Sequence, residues 1–325
     1  MKSDSIGIVA IGRNEGERLI GCLRSARTGA SYIVYVDSGS TDGSVAAAES
    51  IGATVVRLDL TQPFSAARAR NQGFAALMAL RPEIRFVQFL DGDCILADGW
   101  LDNALAFLGL RKDVAIVCGR RRERHPAASV YNRLCDLEWD TPVGETLACG
   151  GDALVRVEAF ESVGGYRAQL IAGEEPEFCV RLRKIGWKIW RLDAEMTRHD
   201  AAMKRFGQWW VRAVRCGYAY AEVSRLHRTA PLGIWRRETV RAVIWGGLLP
   251  AAICLGAMLN PIFLMGALVY PLQICRIAVD RRSASSQPWT YAIFVTLAKF
   301  AEFQGILKFY WYTWRKRATA LIEYK

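Results

Sequence analysis

The sequence predicts a doubly wound α/β domain with a mainly parallel sheet over residues 1–200. An α-helical, membrane-associated C-terminal region is expected to follow it. Three observations carry this expectation. Short β-branched runs alternate with helical periodicity through the first 120 residues, the signature of βαβ units. Two of the runs end in an aspartate, Asp37 and Asp91, at the strand end where open α/β sheets bind ligands. Charge is also partitioned along the chain. The total is 43 Lys+Arg against 32 Asp+Glu, a net of +11. Residues 1–197 hold 24 basic and 26 acidic groups (−2), and residues 198–325 hold 19 and 6 (+13). The basic third also carries the longest apolar runs and much of the Trp and Tyr, which points to an anionic membrane surface and away from nucleic acid.

Taken in order, residues 6–11 read as a strand and 15–27 as a helix. Residues 32–37 (YIVYVD) form a second strand, 44–51 a helix and 54–58 a third strand. Ser65 is placed to cap an Ala-rich helix over 65–80. Residues 85–91 (RFVQFLD) form a fourth strand, 99–108 a helix and 114–118 a fifth strand. From 120 to 147 the pattern weakens into a polar connection. Beyond it come a helix near 157–163, a helix from the GEEPE segment to residue 185, and a short strand at 187–190.

With 325 residues, 52% hydrophobic and 23% charged, the chain is too long for one ordinary domain and too apolar to be disordered. Its nine cysteines are odd in number and form no CxxC pair. That argues against a disulfide framework or a structural zinc site and fits a reducing compartment. The N-terminal apolar run is too short for a signal peptide, so the α/β body is expected in the cytosol.

Residues 201–241 are expected to be a helical connection. Residues 242–279 are expected to be an apolar hairpin, transmembrane or re-entrant, turning at Asn260-Pro261 and flanked by arginines at 236, 237, 241, 276, 281 and 282. In residues 280–325 an interfacial helix is expected, with Lys299, Glu302, Gln304 and Lys308 set among Phe, Tyr and Trp, followed by a basic tail.

The chemistry-bearing residues gather at the carboxyl ends of the predicted strands. Asp91 and Asp93, two apart on a turn (LDGDC), can converge on one hard divalent cation. Asp37 heads a Gly- and Ser-rich loop that can accept from a ribose or base and let backbone approach a ligand. Arg13, Asn14 and Glu15 follow the first strand in the same way, and the RARNQG run brings Arg68 and Asn71 to that edge. Arg120–Arg124 reads as a solvated loop or as an anion clamp.

The ordered set IGRNE, VDSGSTDGS, RARNQG, FLDGDC, CGGDALVR, GGY and GEEPEFCVRLRKIGW, over roughly residues 5–200, resembles the family-2 glycosyltransferases of GT-A fold, of the bacterial envelope or exopolysaccharide type. The resemblance implies a nucleoside-diphosphate sugar donor, a UDP-sugar being favoured, and Mg2+ or Mn2+ as cofactor. It also implies inversion at the anomeric carbon. Carried over position by position, it puts Arg13, Glu15, Asp37, Arg68, Asn71 and Asp91 on the donor. Asp93, Asp91 and His199 would hold the metal, and Gly150, Gly151 and Asp152 would border the acceptor. Glu175, with Glu174 as the fallback, would be the general base where the family usually has Glu-Asp. The QxxRW motif of processive synthases is absent, which implies transfer of a single sugar. The acceptor is expected to be a polyprenyl-diphosphate-linked saccharide at the cytoplasmic face of the inner membrane. A nucleotidyltransferase would want an early Gly-rich, Lys-containing phosphate loop, and the chain has none. A non-catalytic membrane scaffold would not need acids at all three family positions.

Overall fold

The computed structural model describes residues 4–229, 233–282 and 287–315. The basic tail expected beyond residue 315 lies outside them. The chain divides into two compact units, Met1–Ala202 and Met203–Lys325.

In the first unit, β1 (Ile6–Gly12), α1 (Glu17–Gly29), β2 (Tyr32–Asp37), α2 (Ser44–Ser50), β3 (Thr54–Arg57), α3 (Ala66–Leu80) and β4 (Phe86–Asp91) alternate as the periodicity predicts. β1 and β2 are largely buried runs, β3 is half-buried only at its two central valines, and β1, β2, β3 and β4 pair in parallel. Ser65 caps α3, its side chain accepting from the Arg68 N–H as the sequence requires.

Beyond β4 the sheet becomes mixed. The elements are β5 (Cys94–Leu96), α4 (Trp100–Leu110), β6 (Val114–Glu123), α5 (Val130–Glu138), β7 (Gly144–Thr146), β8 (Ala153–Arg156), α6 (Val157–Ser162), α7 (Glu174–Lys184) and β9 (Lys188–His199). The sheet runs β3-β2-β1-β4-β8-β6-β9-β5, with β7 also on β9. β8 lies antiparallel between β4 and β6. An antiparallel strand starts where its neighbour ends, so Asp152, just before β8, arrives beside Asp91 at the end of β4. The sequence missed β8 as a strand, and its short strand at 187–190 is the start of the 12-residue β9. The polar connection expected from 120 to 147 holds the end of β6, α5 and β7. One core spans both faces of the sheet, from Leu19 and Leu23 of α1 to Trp100 and Leu108 of α4 and Phe178 of α7.

The second unit is helical: α8 (Phe206–Leu226), α9 (Arg236–Val243), α10 (Leu249–Leu259), α11 (Val269–Asp280) and α12 (Pro288–Trp314). A π-helical turn at Ile244–Leu248 joins α9 to α10, and a 3-10 segment at Pro261–Leu268 leads into α11. Two stretches are long and apolar enough to cross a membrane, Arg236–Leu259 (24 residues) and Pro261–Asp280 (20 residues). They are 11% and 6% buried over their most apolar windows, unlike the core helices of a soluble protein. They turn at Asn260, whose side chain accepts from the Ile262 N–H.

α12 packs along α8. Of the polar side chains set along it, Lys299 pairs with Glu302 at 2.7 Å rather than reaching outward, and Gln304 accepts from the Trp210 indole at 2.9 Å. The outward face of α12 is instead apolar and aromatic, with Trp289, Ile293, Leu297, Leu307, Trp311 and Trp314 exposed.

Candidate active site

The first unit gathers five carboxylates and two arginines at the carboxyl edge of its parallel strands. Arg70 of α3, 2% exposed, is the hub. One terminal nitrogen donates to Glu174 and to Glu175, each at 2.9 Å, and the other donates to Asp91 at 2.8 Å. Gly151 makes room for this, because a Cβ there would press on the Arg70 guanidinium and lie 3.0 Å from the Asp91 carboxylate. Arg121 of β6 donates to Asp91 at 3.3 Å and pairs with Asp152 at 2.7 Å. Its guanidinium lies 5.5 Å from the centre of the Trp139 ring.

Asp152 is a brace. It accepts from the Asp91 N–H at 3.0 Å and from the Thr197 hydroxyl at 2.8 Å, tying β4 to β9. Asp93 faces His199 across the β5–β9 pair, with Oδ1 3.2 Å from Nε2. His199 is packed edge-on against Trp139, and its Nδ1 is buried without a hydrogen-bond partner.

Electrostatics separate the acids. Burial pushes Glu175 up to about 7; Glu174 beside it adds to the rise, and Arg70 opposes it. Burial would raise Asp91 as well, but Arg70 and then Arg121 outweigh it and hold that carboxyl below its usual value. Burial, with Asp152 next, raises the Cys94 thiol, which keeps its proton in the absence of a cation. A proton acceptor poised near neutrality thus stands one guanidinium away from an acid held below its usual range.

The residues expected on the nucleotide form a second group. Asp37 accepts from the Tyr35 hydroxyl at 3.1 Å and from the Gly39 and Ser40 N–H groups at 3.0 Å each. Asn14, at φ 55°, stitches the loops after β1 and β2 together, accepting from the Thr41 N–H at 2.7 Å and donating its own N–H to Ser40 at 2.9 Å. Glu15 pairs with Arg18 at 2.6 Å, and Arg13 is exposed beside them.

Three expected site residues are used elsewhere. Arg68 donates to the Pro63 and Asp59 carbonyls and holds the loop before α3. Asn71 bridges to Tyr166, accepting from its N–H and donating to its C=O. Asp152 points inward onto Arg121, where the resemblance had set it at the acceptor; Gly150 alone of that trio is exposed. The Arg120–Arg124 run is neither a solvated loop nor an open clamp. It is the end of β6, where Arg120 reaches Asp136 and Asp140, Arg121 reaches Asp91 and Asp152, and Arg122 reaches Glu195. Arg70 and Arg121 were each read only as one of an Arg-rich run, because nothing local marks the arginine that turns inward.

The donor set fits a divalent cation. Asp93, Cys94 and His199 offer ligand atoms within 4.8 Å of one another, as do Asp91, Cys94 and Asp152. Carboxylate plus imidazole is an ordinary pair for Mn2+, and the partnerless His199 nitrogen is consistent with a ring held for such a role.

Residues 6–164 match the profile of glycosyl transferase family 2. That match covers most of the first unit. The chain is 43% identical over 51 residues to the succinoglycan biosynthesis protein ExoA of Rhizobium meliloti, 16% of each protein. It is 29% identical over 256 residues to the pre-mycofactocin glycosyltransferase of Mycobacterium tuberculosis, 73% of this chain and 49% of that one. The chain therefore spans about half or less of the curated relatives it matches. Among solved structures, the mannosyltransferase PcManGT of Pyrobaculum calidifontis, in complex with GDP-Man and Mn2+, aligns with a TM-score of 0.60 at 18% identity. That alignment covers 94% of this chain and 87% of the other, and it establishes the expected GT-A fold.

Proposed function

We propose that the protein transfers one sugar from a nucleoside-diphosphate sugar, in the presence of a divalent metal and with inversion, to a polyprenyl-diphosphate-linked saccharide in cell-envelope polysaccharide synthesis. The observation that carries this reading is Glu175, a buried carboxyl pushed up to about 7 and held by Arg70 beside the Asp91–Asp93 turn. A general base works best when its pKa lies near the working pH. As the acceptor hydroxyl oxygen bonds to the anomeric carbon, the bond from that carbon to the diphosphate breaks. The nucleoside diphosphate leaves with the bonding electrons, and the hydroxyl proton passes to Glu175.

Arg70 keeps Glu175 oriented and separates it from Asp91. Asp93 and His199 would hold the metal, which when bound neutralises charge on the leaving diphosphate. The stitched loops carrying Asn14, Glu15 and Asp37 offer acceptors for the ribose and base. The two apolar stretches, and a relative named for succinoglycan biosynthesis, support a lipid-linked acceptor at the cytoplasmic membrane face.

Purified protein in detergent, screened for hydrolysis of UDP-, GDP- and dTDP-sugars with and without Mn2+, tests the reading. Metal-dependent turnover of one donor, lost in Glu175→Gln, is the expected result. No turnover of any donor under any metal would remove it.

A further inference from the structure

We propose that Asp93, Cys94 and His199 form a thiophilic cation site that takes Zn2+, and that Zn2+ held there competes with the harder cation of the transfer reaction. The backbone itself builds this site. β5 and β9 run antiparallel with Cys94 directly opposite His199, so the two side chains share one face of the sheet. Asp93 immediately precedes β5, and all three side chains are buried.

The spacing suits a small tetrahedral ion. Asp93 Oδ1 lies 3.2 Å from His199 Nε2 and 3.8 Å from Cys94 Sγ, and all three donors fall within 4.8 Å. Zinc bound at about 2.0–2.1 Å to nitrogen or oxygen and about 2.3 Å to sulfur sets its donors roughly 3.3–3.7 Å apart. The half-shell needs only small side-chain shifts to close on an ion. Three protein ligands with a fourth position open is the pattern of an exchangeable site.

Sulfur decides the selectivity. A thiolate favours Zn2+ over Mg2+ and Mn2+, and the general order of affinities runs the same way. As the sulfur–zinc bond forms, the thiol proton goes to solvent and no oxidant is needed, since a coordinating thiol is deprotonated by the ion itself. Nε2 of His199 faces Asp93 and is the ring nitrogen placed to ligate. The competition half of the inference rests on the proposed transfer reaction; the site itself does not.

The test uses the full chain in detergent with Co2+ as the optical stand-in for Zn2+. The expected result is a sulfur-to-cobalt charge-transfer band, bleached by stoichiometric Zn2+ and missing from both Cys94→Ser and Cys94→Ala. Zn2+ affinity should fall at least about tenfold in either variant, with the melting curve reporting that each is folded. No such band in the unsubstituted protein, or an unchanged band in both folded variants, would overturn the site. In transfer assays Zn2+ should inhibit competitively with Mn2+, and inhibition indifferent to Mn2+ would overturn the competition. If no donor is ever turned over while the cobalt band is present, the transfer reading and its competition fall and the site remains.

Discussion

Arg70 holds three carboxylates on one buried guanidinium, and its removal should be felt by each of them. Replacing it by Met leaves like charges facing one another without compensation, a change that typically costs about 3–5 kcal/mol. A lower melting temperature is the expected readout. Arg70 also opposes the rise of Glu175, so in whatever Arg70→Met protein folds, the acid limb of the pH–rate profile should move upward from about 7. In the unsubstituted enzyme the rate should climb as pH rises through about 7, where Glu175 becomes ionised and able to accept a proton.

The same shift has a stability side. The folded state binds a proton on Glu175 between the ordinary 4.5 and about 7, whereas the unfolded chain has released it. Stability from this group is therefore lost as pH rises through that window. Glu175→Gln should lower turnover by about 10²–10⁴-fold yet melt no lower than the parent at pH 8. A large drop in melting temperature would make the residue structural. The acids at 37, 91, 93, 174 and 175 were legible in the sequence because strand ends and a helix start fix their positions. The arginines were not: Arg68 and Arg70 are two residues apart on one helix, and only the approach of α7 and β4 decides which is buried.

At the scale of elements, the parallel half of the sheet was readable because each βα unit repeats one period. β8 and α5 were not, because both fall outside that repeat, β8 as an antiparallel strand inserted between β4 and β6 and α5 within the polar connection. The α8–α12 contact was also hidden, because it depends on glycines meeting backbone. A Cβ on Gly217 would strike the Glu302 carbonyl, and one on Gly305 would strike that of Val214. Close crossings of this type use small residues so that helix backbones can touch. Gly305→Ala should therefore destabilise the helical unit by about 1–3 kcal/mol, seen as a lower melting temperature in detergent. An unchanged melt would mean that the crossing relaxes without cost.

For the whole molecule, the split of charge along the sequence follows the division of the chain into two units. The first has a continuous apolar core and a sheet whose faces are covered. The second exposes Leu255, Met258, Leu259, Phe263, Leu264 and Met265 around its apolar turn. Residues 1–202 produced alone should stay monodisperse without detergent, and the full chain should float with liposomes. Failure of the shorter chain to fold would show that its core borrows support from the helices.

β9 gives the site a place in time as well as in space. Residues 197 and 199 complete a cluster begun at 70, 91 and 93, so loop closures of more than a hundred residues stand between synthesis of the Asp91–Asp93 turn and its finished surroundings. On a ribosome, which releases chains N-terminus first, this cluster cannot assemble until β9 has emerged. The stretch from residue 236 that could enter a bilayer is made only afterwards. The order of translation thus allows the α/β unit to finish folding before the apolar stretches have been made.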